Sequence, residues 1–548
     1  MFKVELKIDS KHYKTLAFAK RICIKDIIEN ENLSDNIAAY QIEFEYVNSR
    51  YEMDRDLKLN CITSNTTEGY LIYQDTATFI MCKAFHNLFS KENQLIIEHS
   101  IGDGVYGEII DYTFSSEDVE KLKREMQRII SRKLPIEKLY VTPSEADEIF
   151  LPQGQEDILK NIKFKNIQIY KCGKYYDYFL RQLADDTSLI KSFDLKYHSP
   201  GIILRFPKKG KDKITKKFKL PRTLFATHQE HDKWLNILNI HNVSALNKYI
   251  KNYKITNLIQ IEEALHEKKI IDIANQITWK KDIKIVLIAG PSSSGKTTFA
   301  KRLTIQLRVN GTYPHIVGMD NYFLPRKITP RKENGDYDFE NIGALDLELL
   351  NNNLRDLLAG KEIELPKYNF ITGNREKSYK KLQLRENDIL ILEGIHGLND
   401  KLTSSIPFNQ KIKIYVSALN NLNIDSHNRI PTTDSRKIRR IIRDHKFRGH
   451  PAEQTLEMWE SIREGENKNI FPFQENADFM FNSILTYELA VLKKYGMPLL
   501  QSVTEYCPEY LEAKRLIRLF DHIYNIQDDL VPSNSILREF IGGSIFQY

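Results

Sequence analysis

Residues 284–303 read KIVLIAGPSSSGKTTFAKRL. An apolar run meets the octet GPSSSGKT at 290–297, and a helix-forming run follows. A strand, a glycine-rich turn and a helix in that order predict a phosphate-binding loop. The turn through Gly290, Pro291, Ser292, Ser293, Ser294 and Gly295 aims backbone N–H groups at a polyphosphate, and the helix N-terminus adds its dipole. Lys296 is expected to neutralise the β- and γ-phosphates. Thr297 is expected to bind Mg²⁺ through its hydroxyl, with Thr298 completing the nucleotide contact. A chain with this motif in this setting is expected to bind ATP or GTP.

Outward from the loop, the apolar runs at 315–319, 388–392, 411–416 and 478–481 alternate with helical stretches. That alternation predicts an α/β unit over 281–485, with a parallel sheet covered by helices on both faces. Asp320, in HIVGMDNYF (315–323), falls just past the second strand, where ligands sit in open parallel sheets. A carboxylate there can take the proton of an acceptor hydroxyl; a strand-end helix cap is the plainer alternative. Glu393 ends DILILEG (388–394) and suits a Mg²⁺-bound water. In RRIIRDHKFRG (439–449), Arg440 and Arg443 share a helix face, with Arg448 beyond. Such a segment either closes on phosphates or is a salt-bridged surface helix.

The 548 residues suffice for several domains, and 41% hydrophobic with 28% charged excludes pervasive disorder. No apolar run approaches the roughly 20 residues of a membrane span. The N-terminus lacks an apolar signal core, and the five scattered cysteines form no CxxC pair, which points to the cytoplasm. Net charge is +7, and RFPKKGKDKITKKFKLPR at 205–222 alone holds nine basic residues and one Asp. The rest is near neutral, so the run is either a solvated linker or a contact for RNA or another anion. Residues 1–65 alternate at period two around one expected helix over 17–29. Residues 66–204 read as α+β, with a capping box at Ser115 and Asp118 opening a helix. A basic segment and helical linker (205–280) and a helical tail (486–548) complete the expected division.

The kinase half resembles the uridine kinase and phosphoribulokinase family of P-loop kinases. The blocks occur in order: GPSSSGKT, MDNYF, DYDFENIGALD (336–346), LPKYNF (365–370) with Arg375 beyond, LEGI (392–395) and the arginine segment. The resemblance implies Asp320 as base for a ribose 5′-hydroxyl and Asp338 as holder of ribose hydroxyls. It implies Tyr322, Phe323 and Tyr368 around the base, Arg375 at the acceptor, and Arg440, Arg443 and Arg448 as lid arginines. The family histidine that reads a pyrimidine edge aligns with Gly373, so the base preference is left open.

The front half resembles the N-terminal region of threonyl-tRNA synthetases. Residues 1–65 are similar to the ubiquitin-like (β-grasp) TGS module, and 66–204 to the editing domain. The second resemblance rests on IEHSIGDGVYGEI (97–109), EDVEKLKREMQRIISRKLPIEK (117–138) and CGKYYDY (172–178). The editing domain carries HxxxH and CxxxH pairs; the first reads CKAFH (82–86) here, and the second aligns with FLRQL (179–183). Two donors do not close a metal site, so neither structural zinc nor editing is expected. The whole arrangement, ending in NSILREFIGGS (534–544), resembles a bacterial class of long nucleoside kinases. It implies ATP- and Mg²⁺-dependent phosphorylation of a nucleoside. A tRNA-responsive nucleotide switch and a kinase of another hydroxyl acceptor are the alternatives, and oligomerisation is left open.

Overall fold

The computed structural model describes residues 2–8, 13–33, 36–153, 165–332 and 335–548. Its central element is a five-stranded sheet in the order Tyr313–Gly318, Asp388–Glu393, Ile285–Ala289, Lys411–Ser417, Phe479–Asn482. Every neighbouring pair is parallel. Period-two geometry sends Ile285 and Leu287 into one apolar core, with Leu350, Leu354, Leu390 and Leu392. Val286 and Ile288 enter the opposite core, with Phe299, Leu303, Ile412 and Ile414. A strand buried on both faces has no polar alternation to show, which is why these strands read as continuous apolar runs. The expected parallel sheet is present, with each strand within two residues of its expected start and end.

The N-terminal sheet has the order Tyr13–Phe18, Phe2–Lys7, Leu57–Thr63, Ile37–Ile42, Glu45–Val47. The expected helix over 17–29 is shorter. Tyr13–Phe18 pairs antiparallel with Phe2–Lys7, and only Ile24–Asn30 is helical. Strand pairing outweighs the local preference of residues 17–23. Next comes a 22-residue helix, Thr67–Leu88, capped by the Thr66 side chain. The helix Ser116–Ser131 starts at the expected Ser115–Asp118 capping box. Two further sheets follow: Glu137–Val141 with Ile167–Cys172 and Tyr175–Asp177, and Asp194–His198, Gly201–Arg205, Gly104–Ile110, Gln94–Ile101.

Arg205 is buried against Asp103 at 2.7 Å, whereas Lys208, Lys209, Lys211, Lys213, Lys216, Lys217 and Lys219 are exposed. Residues 222–279 form three helices, Arg222–Leu238, Val243–Lys251 and Ile255–Trp279. The last packs on Lys296–Val309 through Arg302, which pairs with Glu263 and Glu267 at 3.4 and 2.7 Å. The C-terminal helices Glu488–Gln501, Tyr510–Asp521 and Arg538–Ile541 return the chain to the phosphate-binding loop. Among the described residues no helix is long and apolar enough to cross a membrane.

Candidate phosphoryl-transfer site

The strand Ile285–Ala289 runs straight into the loop, and Lys296–Val309 leaves it. Two glycines are needed for packing. A Cβ at Gly290 would lie 2.0 Å from the Val416 carbonyl oxygen, and one at Gly295 would lie 2.6 Å from Ile536. Gly295 also takes φ +83°, a conformation only glycine adopts freely. The Ser293 and Ser294 hydroxyls are buried with no hydrogen-bond partner. Unpartnered donors in a cradle that admits no side chain fit a polyphosphate.

Lys296 reaches back to the Pro291 carbonyl at 3.1 Å. Burial lowers its ammonium pKa, against the opposing pull of Glu393 and Glu539. Thr297 Oγ1 donates to the Glu393 carboxylate, with both oxygens at 3.3 Å. A hydroxyl beside a carboxylate at a strand end is a donor set that suits Mg²⁺. Burial raises the Glu393 carboxyl; Lys296 lowers it, and Glu539 and Asp320 push it up. Asp320 lies in the turn Met319–Tyr322, two residues past its strand. Solvent reaches its side chain, yet the protein around it raises the carboxyl above the usual aspartate value, while Lys296 and Arg448 lower it. The mutual influence of Lys296, Asp320, Glu393 and Arg448 brings these sequence-predicted residues to one place.

The arginine segment forms the helix Thr432–Arg448. Arg440 Nη1 donates to Ser292 Oγ at 2.6 Å, and Arg440, Arg443 and Arg448 all pair with the buried Asp444. Burial brings Arg440 down to about 10. Two further arginines, which the spacing i, i+3, i+4 could have flagged, brace the loop from behind. Arg436 donates to the Ser292 carbonyl at 2.9 Å, and Arg439 to the Ser293 carbonyl at 3.4 Å and Glu488 at 3.0 Å. Glu466, held by Arg436 and Arg463, accepts the Ser292 N–H at 2.9 Å. Glu539 accepts from the Thr298 hydroxyl at 2.7 Å. Glu466 lies in no quoted motif and Glu539 lies in the C-terminal block 534–544, and only tertiary contact shows that either acts on the loop.

Directly after the turn that carries Asp320 comes an aromatic wall. Phe323 meets Tyr368, Phe339 and Phe370 with ring centroids 5.6, 5.5 and 6.0 Å apart. Tyr322 is buried and its hydroxyl accepts from Asn353 at 3.2 Å, whereas the Tyr368 hydroxyl is buried without a partner. Arg375 donates to the Phe323 carbonyl at 3.0 Å and to Asp346 at 2.9 Å, so its guanidinium braces this wall. Asp338 is buried, with Asn341 at 3.4 Å and Lys468 at 3.8 Å. Gly373 has φ +68°, and a Cβ there would lie 2.7 Å from Arg326 Nε. Arg326 thus covers the position of the absent histidine.

Residues 285–490 match the model of the phosphoribulokinase / uridine kinase family. A uridine kinase of Macrococcus caseolyticus is 29% identical over 197 residues, 36% of this chain and 86% of the relative. A uridine kinase of Ureaplasma parvum serovar 3 is 27% identical over 195 residues, 35% and 85% of the two chains. Uridine-cytidine kinase B of Dictyostelium discoideum is 29% identical over 209 residues, 37% and 76%. Among solved structures, a possible uridine kinase from Bacillus stearothermophilus aligns at 20% identity and TM-score 0.25, over 36% of this chain and 89% of that one. Residues 285–490 are thus similar in sequence to the kinase domain of the phosphoribulokinase / uridine kinase family.

Proposed function

We propose that the chain transfers the γ-phosphoryl group of ATP to the 5′-hydroxyl of a nucleoside, in nucleotide salvage. The observation that carries this is Asp320, held in the turn Met319–Tyr322 next to Phe323 of the aromatic wall and acted on by Lys296 and Arg448. The acceptor oxygen attacks the γ-phosphorus, the bond to the ADP oxygen breaks, and the acceptor proton passes to the Asp320 carboxylate. Lys296 holds the charge on the transferred group, and Arg443 and Arg448 are the arginines free to turn toward it from Asp444. Thr297 and Glu393 would hold Mg²⁺, which neutralises phosphate charge when bound. Tyr322 supports the aromatic wall on which the base stacks, beside Phe323 and Tyr368, and Asp338 takes ribose hydroxyls. His396 has both ring nitrogens buried and unpartnered, with Asp338 acting on it, so it and Arg326 are the polar groups available to the acceptor.

The experiment is ADP release with ATP and Mg²⁺ across nucleosides, pantothenate and phosphosugars, with the Lys296→Ala protein as blank. Turnover confined to one nucleoside class is the expected result. Silence across nucleosides with turnover of another hydroxyl acceptor would overturn the nucleoside assignment.

The front half supports a second role. The strand order of residues 2–63, with one helix, fits a β-grasp module, and 66–204 fits a synthetase-editing-like α+β domain. The divisions at 65, 204, 280 and 485 follow from that reading. The exposed lysines of 208–219 favour a tRNA or RNA contact; tRNA retention that falls steeply with added salt would support it.

A further inference from the structure

Three chain segments that the kinase reaction does not use meet in the interior. Cys82 lies on the helix Thr67–Leu88, and Asp177 ends the strand Tyr175–Asp177. His427 lies in the loop between the strand Lys411–Ser417 and the helix Thr432–Arg448. A thiol sulfur, a carboxylate oxygen and an imidazole nitrogen lie within 4.8 Å of one another. Cys82 is 2% exposed, Asp177 is fully buried and the His427 side chain is 10% exposed.

The cluster is already oriented. Asp177 accepts from the Tyr178 N–H at 2.8 Å, the Tyr175 hydroxyl at 2.6 Å and His427 Nδ1 at 2.8 Å. The His427 backbone N–H donates to Asp425 at 2.8 Å. The Tyr175, Tyr178 and Asp425 contacts hold the donors from outside, as is regular in metal sites, whereas the His427–Asp177 bond joins two of the donors themselves.

We propose that Cys82, Asp177 and His427 bind one zinc-class divalent transition-metal ion at the junction of the front half and the kinase domain. Thiolate, imidazole and carboxylate are the donors such ions take together, and hard Mg²⁺ does not favour sulfur. Three protein donors leave a fourth, tetrahedral position for water. Bonds of about 2.0–2.3 Å ask the cluster to tighten by roughly 1 Å around the ion. Binding takes Cys82 as thiolate and His427 as neutral imidazole, so a proton on either donor atom leaves to solvent. The His86 ring stands against Tyr175 at 5.2 Å and is not one of the three donors. The set therefore differs from the pair that a count along 82–86 suggests, and one ligand comes from the kinase domain. The ion would fasten the loop that leads into the arginine helix.

The test uses the full-length, tag-free chain, stripped with a chelator and titrated with Co²⁺. The expected result is one ion per chain with a thiolate-to-cobalt charge-transfer band, and one zinc per chain by elemental analysis after reloading and dialysis. Cys82→Ser should abolish the band, and His427→Ala should weaken cobalt binding by roughly 10²-fold or more. Cys172→Ser should keep both band and stoichiometry. A wild-type chain that shows no thiolate band at saturating Co²⁺ and only trace zinc overturns the site, and this arm involves no substitution that could misfold. A band that survives in Cys82→Ser overturns it as well. The readouts do not depend on kinase turnover, so they stand apart from the acceptor assignment.

Discussion

Asp320 has to be a carboxylate to take a proton, and the protein around it raises its pKa above the usual aspartate value. As pH falls through that raised value the base is lost, so the acid limb of kcat/KM should lie above the ordinary range near ~3.9. Asp320→Asn should cut turnover by roughly 10²-fold or more while ATP binding persists, as read by steady-state kinetics beside nucleotide titration. Equal loss of both would point to a structural role. Lys296→Ala should remove roughly 10²-fold or more of kcat, because its ammonium is the one the phosphate-binding loop sets on the transferred group. Gly373 carries a different expectation. Its φ of +68° and the Arg326 side chain at 2.7 Å oppose any Cβ. Gly373→His should therefore destabilise by about 1–3 kcal/mol in denaturant unfolding without creating a pyrimidine preference. A stable variant with sharpened uridine selectivity would contradict that account.

The arginines of the helix Thr432–Arg448 divide by partner. Arg440, Arg443 and Arg448 surround Asp444, whereas Arg436 and Arg439 support the carbonyls of Ser292 and Ser293. Arg439 and Glu488 are both fully buried, so removal of one partner strands a charge in the interior. Arg439→Ala should lower unfolding free energy by roughly 3–5 kcal/mol, measured by chemical denaturation, with nucleotide affinity falling in step. Arg443→Ala, which removes one of three arginines on Asp444, should lower kcat with little change in stability. Equal loss of stability in both variants would show that the two sets do not divide in this way.

The halves share one interior. Ala146, Phe150, Ile167, Ile169, Tyr178 and Leu180 belong to the same apolar core as Val286, Ile288 and Phe299. Polar contacts cross the same junction: the Ile97 N–H donates to the Ser426 carbonyl at 2.7 Å, and Asn428 donates to the Tyr178 carbonyl at 2.7 Å. Ser426 and Asn428 both lie in the loop that feeds the arginine helix. The full chain should therefore unfold in one transition. All three tryptophans, Trp234, Trp279 and Trp459, lie outside residues 1–204. Tryptophan fluorescence and far-ultraviolet circular dichroism should thus report the same midpoint. Two separated midpoints would show halves that fold independently.

The loop 290–297, the parallel strands and the acidic residues at their ends were legible because their chemistry is local. A strand buried on both faces must be apolar throughout, and a phosphate cradle must be glycine-rich within a few residues. The start of the helix Ile24–Asn30 was not legible, since pairing between Tyr13–Phe18 and Phe2–Lys7 claimed part of the stretch expected to be helical. Nor could spacing reveal Glu466, Glu539 or Arg326, each of which acts on a loop or turn distant in sequence. Cys82, Asp177 and His427 mark that limit most clearly. Residue order shows which groups can donate, and only the packing of the front half on the kinase domain brings a thiol, a carboxylate and an imidazole together, because side chains far apart in the chain become neighbours through tertiary burial alone.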